Sequence, residues 1–122
     1  MSLKCQHVVI SMSDKKAMKE FYIDKLGLGL LEEEEHFFAA SAGAVRFSFF
    51  AGAKKYPINE DATSVSIILR TDDIKRTKEE LLSKGIRLLS DINEAPGFMK
   101  YLNIEDPDNN LVYIGEYYRD PV

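Results

Sequence analysis

His7-Val8-Val9-Ile10-Ser11-Met12-Ser13-Asp14 and Ser66-Ile67-Ile68-Leu69-Arg70-Thr71-Asp72-Asp73 state one pattern twice. Each is an apolar, strand-like run that ends in small or acidic residues able to start a helix. The second copy begins 59 positions after the first. That period is too long for small solenoid repeats and suits two copies of one compact unit. Each copy continues through a capped helix and a glycine into further strands, so the pattern predicts two tandem βαβββ units in an α+β fold.

In the first unit the alternation predicts a strand over residues 7–12. Val8, Ile10 and Met12 fall on one face; His7, Val9 and Ser11 fall on the other. Ser13 or Asp14 caps a helix that reaches about Leu26, with Met18, Phe21, Tyr22 and Leu26 at the spacing of a sheet-packed stripe. Gly27 suits the left-handed residue that ends it. Strands are expected near 28–34, 36–40 and 44–50, with Ser41-Ala42-Gly43 as a turn. Tyr56-Pro57-Ile58-Asn59-Glu60-Asp61 reads as a linker. The expected layout is a single domain, 1–122, with unit one at about 4–52, a linker at about 53–62 and unit two at about 63–118.

In the second unit Val65, Ile67 and Leu69 are expected to face one way, and Ser64, Ser66, Ile68 and Arg70 the other. Thr71, Asp72 or Asp73 caps a helix ending at Gly85, with Ile74, Leu81 and Leu82 as its apolar stripe. Strands follow near 86–90, 99–104 and 111–116. Asp106-Pro107-Asp108-Asn109-Asn110 is a strong turn, because Pro fixes φ and Asp/Asn side chains bond the local backbone.

A βαβββ unit cannot bury both faces of its strands alone. Two units joined edge to edge predict a curved mixed sheet with helices outside and a concave face that holds a pocket. The bulk numbers fit such a domain. Of 122 residues, 45% are hydrophobic and 30% charged, as in ordinary globular proteins. A net charge of −4 argues against a nucleic-acid partner, which asks for a basic face. The single Cys5 excludes an internal disulfide framework and points to a reducing, cytoplasmic setting. Beside a strand start, Cys5 is expected to be a buried or half-buried filler. No run of about 20 apolar residues exists to span a bilayer, and no secretory leader is expected. Glu32-Glu33-Glu34-Glu35 reads as a solvated strand edge, or as an acidic rim for a cationic ligand. No Gly-rich phosphate loop, nucleophile elbow or Cys-pair metal motif occurs.

The words His7-Val8-Val9-Ile10…Ser13-Asp14, Phe21-Tyr22…Leu26-Gly27-Leu28, Thr71-Asp72-Asp73-Ile74, Lys84-Gly85 and Asp106-Pro107-Asp108-Asn109-Asn110-Leu111-Val112 together resemble the vicinal oxygen chelate superfamily. That group takes in glyoxalase I, bleomycin-resistance proteins, fosfomycin-resistance enzymes and extradiol dioxygenases. The resemblance implies the two-unit fold over nearly the whole chain. Metal enzymes of this kind hold a divalent ion with His and Glu from the first and last strands of each unit. His7 matches the first position. Ser66 stands where such an enzyme carries His, and Tyr113 where it carries Glu. Ser48 is the pocket-facing candidate in the fourth position, since Val45, Phe47 and Phe49 make the better helix-packed face.

Neutral Ser and Tyr hydroxyls are poor ligands for Zn, Ni or Fe. A catalytic zinc needs three protein ligands, and the only histidines are His7 and His36. Glu116 lies three residues after Tyr113, so alternation sends it to the opposite face unless a bulge intervenes. No catalytic metal and no cofactor are therefore expected. His7 is either a pocket-wall remnant or a ligand hydrogen-bonder and general base. Ser48 and Ser66 are expected as polar anchors or as space-makers. Tyr113 can offer its O–H to a ligand. Met99 and Tyr101 share a strand face with Asn103 and can line the pocket. The expected function is metal-free binding of a small molecule. An enzyme using His7 as base, or a metal enzyme with shifted ligands including Glu116, is the alternative. The resemblance also implies a homodimer.

Overall fold

Asp14 and Asp73 begin the two helices in the same way. The computed structural model describes residues 1–51 and 66–121. The expected linker, together with Ser64 and Val65, lies outside them. The chain divides into two compact units, Met1–Ala62 and Thr63–Val122.

In the first unit Asp14 has extended backbone, and its carboxylate accepts the Ala17 N–H at 3.1 Å. This satisfies one of the donors that a helix start leaves free. Helix α1 (Lys15–Lys19) then widens into a π-helical continuation, Glu20–Lys25. Leu26 donates to the Phe21 carbonyl, five residues back, at 2.9 Å. The expected helix is thus present to Leu26, but its second half is not α-helical. Met18, Phe21 and Tyr22 are buried. Gly27 turns the chain at φ +78°, as Gly85 does after the second helix at +76°, a region costly for a residue with a Cβ.

The strands are β1 (His7–Met12), β2 (Gly29–Glu34), β3 (Phe37–Ala42) and β4 (Val45–Ala51). They form one mixed sheet in the order β1-β4-β3-β2, with β1 parallel to β4 and the other pairs antiparallel. The core is aromatic. Phe49 stacks on Phe38 at 4.4 Å and meets Tyr22 at 4.7 Å and Phe47 at 6.3 Å. Two expectations change. The β3–β4 turn is Gly43-Ala44, because Ser41 and Ala42 still pair with Arg46 and Val45. Cys5, ahead of β1, is exposed. β2 is the outer strand of this order, and its Glu33 pairs with Lys15 and Lys19.

The second unit repeats the plan. The Asp73 carboxylate accepts the Arg76 N–H at 3.1 Å at the start of α2 (Ile74–Ser83). Strands β5 (Ile67–Arg70), β6 (Asn93–Ala95), β7 (Met99–Glu105) and β8 (Leu111–Tyr117) form a mixed sheet in the order β5-β8-β7-β6, again with its first strand parallel to its last. Ile74, Leu81, Ile86, Leu102, Ile104, Val112 and Ile114 are buried. Leu82 is 51% exposed and leaves the expected stripe.

The expected strand at 86–90 is reduced to one bridge, Leu88 to Ile104. The Ser90 hydroxyl takes the Asn103 N–H, and the Asp91 carboxylate binds the Ile92 N–H and Lys78. These side chains replace ladder partners, and regular pairing resumes only at β6. The β7–β8 turn is built on Asp106, whose carboxylate accepts from the Asp108 and Asn110 N–H groups, each at 2.9 Å, and from Asn110 Nδ2 at 2.8 Å. No described helix is long and apolar enough to cross a membrane.

Candidate functional site

Within each unit the unit's own helix packs on one face of the sheet, and the candidate residues that lie on strands fall on the other. In the first unit Val9 lies opposite Ser48, so His7, Val9 and Ser11 share a face with Arg46, Ser48 and Phe50. Strand β3 adds Phe37, Ala39 and Ser41 to it. His7 Nε2 stands 2.6 Å from Ser48 Oγ, and Arg46 Nε donates to the same oxygen at 3.1 Å. Ser48 is only 1% exposed. A buried hydroxyl without a partner is costly, and His7 satisfies it, with the direction of the bond set by the imidazole tautomer.

Arg46 is held in turn. Its two terminal nitrogens meet the Glu32 carboxylate at 3.3 Å each, and its guanidinium lies 5.9 Å from the Phe37 ring centre. The Arg46 hydrogen bond, then its charge, holds the Glu32 carboxyl below its usual range. A chain of polar contacts, Glu32–Arg46–Ser48–His7, therefore runs from β2 to β1. Sequence reasoning missed Arg46 and Glu32 as members. The available signal was that Arg46 stands two residues before Ser48 in a strand and shares its face.

In the second unit Tyr113 lies opposite both Ile68 and Asn103, and Tyr101 lies opposite Gly115. The Tyr101 and Tyr113 rings are 5.7 Å apart and tilted by 56°. Met99, on the same face, lies over Gly115: a Cβ there would meet its sulfur at 3.1 Å. Ser66 precedes β5 and is exposed. Arg70 pairs with Asp120 at 3.6 Å and lies over the Tyr117 ring. Asn103 Oδ1 is buried without a hydrogen-bond partner, which costs about 1–3 kcal/mol. Asn103→Leu removes that unsatisfied group at similar size, so the account predicts a rise in stability of about 1 kcal/mol. Thermal unfolding reads it, and a lowered midpoint would contradict the assignment.

Among the described residues, no group of three or more His, Cys, Asp or Glu side chains can hold a metal ion. His7 uses Nε2 on Ser48. Ser66 and Tyr113 bring neutral hydroxyls. Glu116 is on the helix side, where its carboxylate accepts the Ile74 N–H at 3.1 Å and meets the positive end of α2. These donors do not fit a divalent ion of the kind that related metal enzymes hold. Glu116→Gln is accordingly predicted to lower stability by about 0.5–1 kcal/mol. An unchanged urea midpoint would detach Glu116 from the helix.

The profile of the glyoxalase/bleomycin resistance protein/dioxygenase superfamily matches residues 4–114. Among solved structures, the chain is similar to TnmS3, an antibiotic-binding protein from Streptomyces sp. CB03234. The two are 20% identical over 96% of this chain and 98% of that one, with a TM-score of 0.79. It is also similar to lactoylglutathione lyase from Agrobacterium tumefaciens, 18% identical over 93% and 92%, with a TM-score of 0.76. A virulence protein from Salmonella typhimurium is 24% identical over 96% and 98%, with a TM-score of 0.77. A search of curated proteins returns no match. At these identities the structural likenesses show the fold, while the profile covers nearly all of both units: the chain belongs to the glyoxalase/bleomycin resistance protein/dioxygenase superfamily.

Proposed function

We propose that the protein binds a small organic molecule through the helix-free faces of its sheets and works without a resident metal. The observation that carries this reading is the second unit's face. There Tyr101 and Tyr113 stand side by side with Met99 and an unsatisfied Asn103 oxygen. Aromatic surface with a few placed polar groups is the usual makeup of a small-molecule site. In the first unit His7 and Ser48 supply hydrogen-bonding groups, and Ser66 is a further polar anchor in the second. The antibiotic-binding relative supports the reading, since the same fold serves binding there. By family analogy the protein acts as a homodimer, and its cysteine usage suits the cytoplasm.

The test is a thermal-shift screen of small organic compounds on the wild-type protein. Each hit is then titrated into a His7→Ala, Tyr113→Phe double variant by calorimetry. At least tenfold weaker binding is expected, and unaltered affinity would overturn the assignment.

A second reading makes His7 the base of a metal-independent lyase or isomerase, with Nε2 exchanging its Ser48 contact for substrate. Turnover abolished by His7→Ala and untouched by a chelator would select it.

A further inference from the structure

We infer that the cavity at the β3–β4 hairpin end of the first unit takes a ligand carboxylate, and that Glu32 is the resident anion it displaces. The inference rests on the reading that this face binds small molecules, and it names the chemical class.

The cavity measures about 400 Å³, and its lining includes Gln6, His7, Leu31, Ser41, Val45 and Arg46. It is a groove largely open to solvent rather than an enclosed pocket. Arg46 brings the one fixed charge of the lining, and its partner Glu32 stands just outside that lining. Arg46 Nε is committed to Ser48, so the guanidinium is oriented and presents its two terminal nitrogens as a fork. A fork of this kind matches a carboxylate with two parallel hydrogen bonds.

Glu32 now occupies the fork, and it does so loosely. Both contacts are 3.3 Å, longer than the roughly 2.7–2.9 Å of a good charge-assisted pair. The Glu32 side chain is 56% exposed, and exposed pairs are worth about 0–1 kcal/mol. A ligand carboxylate replaces Glu32 with Arg46 still paired and Glu32 returned to water. The neighbouring Glu33 does not compete, because Lys15 and Lys19 hold it. Leu31 and Val45 offer apolar wall to the rest of the ligand, and Gln6 and Ser41 offer hydrogen bonds.

The experiment is an NMR titration of isotope-labelled protein with benzoate and, separately, with its neutral counterpart benzamide. Benzoate is expected to shift the Arg46 Nε–H and the Ser41 and Gly43 amide signals saturably, while benzamide at equal concentration leaves them in place. Glu32→Gln removes the competitor and should tighten benzoate binding at least threefold. Arg46→Gln should weaken it at least tenfold. Equal response to both probes, no response to benzoate, or weaker benzoate binding by Glu32→Gln would each overturn the inference. The Glu32→Gln arm decides even where Arg46→Gln fails to fold. If screened compounds bind through His7 and Tyr113 while benzoate is ignored, this inference fails alone and the binding function stands.

Discussion

Replacing Phe49 by Ala is expected to lower the unfolding free energy by about 3–5 kcal/mol. Phe49 is fully buried, and its ring touches three others: Phe38, Tyr22 and Phe47. It sits on β4, two strands from the edge β2, and faces the helix. No neighbour is positioned to collapse into the space left behind, because Phe38 and Tyr22 are themselves locked in the same cluster. The cost is lost transfer energy plus a cavity. At roughly 3–6 °C per kcal/mol for a chain of this size, the thermal midpoint should fall by at least about 10 °C. A loss below about 1 kcal/mol would mean that the aromatic cluster does not hold the first unit together.

Asp106→Ala is expected to cost about 2–4 kcal/mol, on the ordinary scale of charge-assisted hydrogen bonds. Asp106 is 3% exposed and accepts from two backbone N–H groups and one side-chain amide. Truncation leaves those donors unsatisfied in a partly buried turn. The same turn holds Asn109 at φ +64°, a conformation that the surrounding hydrogen bonds maintain. Urea unfolding reads the loss. Hydrogen exchange should show it spreading along the β7–β8 hairpin, and an Asp106→Asn variant, which keeps one acceptor oxygen, should fall between. A cost confined to a few tenths of a kcal/mol would show that the turn forms without its carboxylate.

The features written locally were legible in the chain. The β1 alternation, the Asp14 and Asp73 caps, the glycines after both helices and the Asp106 turn each depend on residues within a few positions. What was not legible depends on partners far along the chain. The stretch 86–90 carries apolar residues at strand spacing, but Ser90 and Asp91 turn their side chains to Asn103, Ile92 and Lys78 and break the ladder. Nothing in Glu20–Lys25 announces a π register. Leu82 looks like part of the α2 stripe, yet Ile74 and Leu81 already fill the contact and Leu82 falls to the side.

The candidate site divides the same way. Strand alternation put His7 and Ser48 on one face, and Tyr101, Asn103 and Tyr113 on another. It also put Glu116 opposite Tyr113. Alternation could set Arg46 beside Ser48, but it could not reveal that Arg46 also reaches Glu32, or that Glu116 meets the first turn of α2. Those two contacts span 14 and 42 positions of sequence.

We propose that this member of the superfamily serves an organic ligand without a metal. Metal analysis of protein purified without chelator, followed by thermal shifts with Ni²⁺, Zn²⁺, Mn²⁺ and Fe²⁺, tests it most directly. The account predicts no stoichiometric metal and no saturable shift. One metal per chain, or a saturable stabilisation that His7→Ala abolishes, would contradict it.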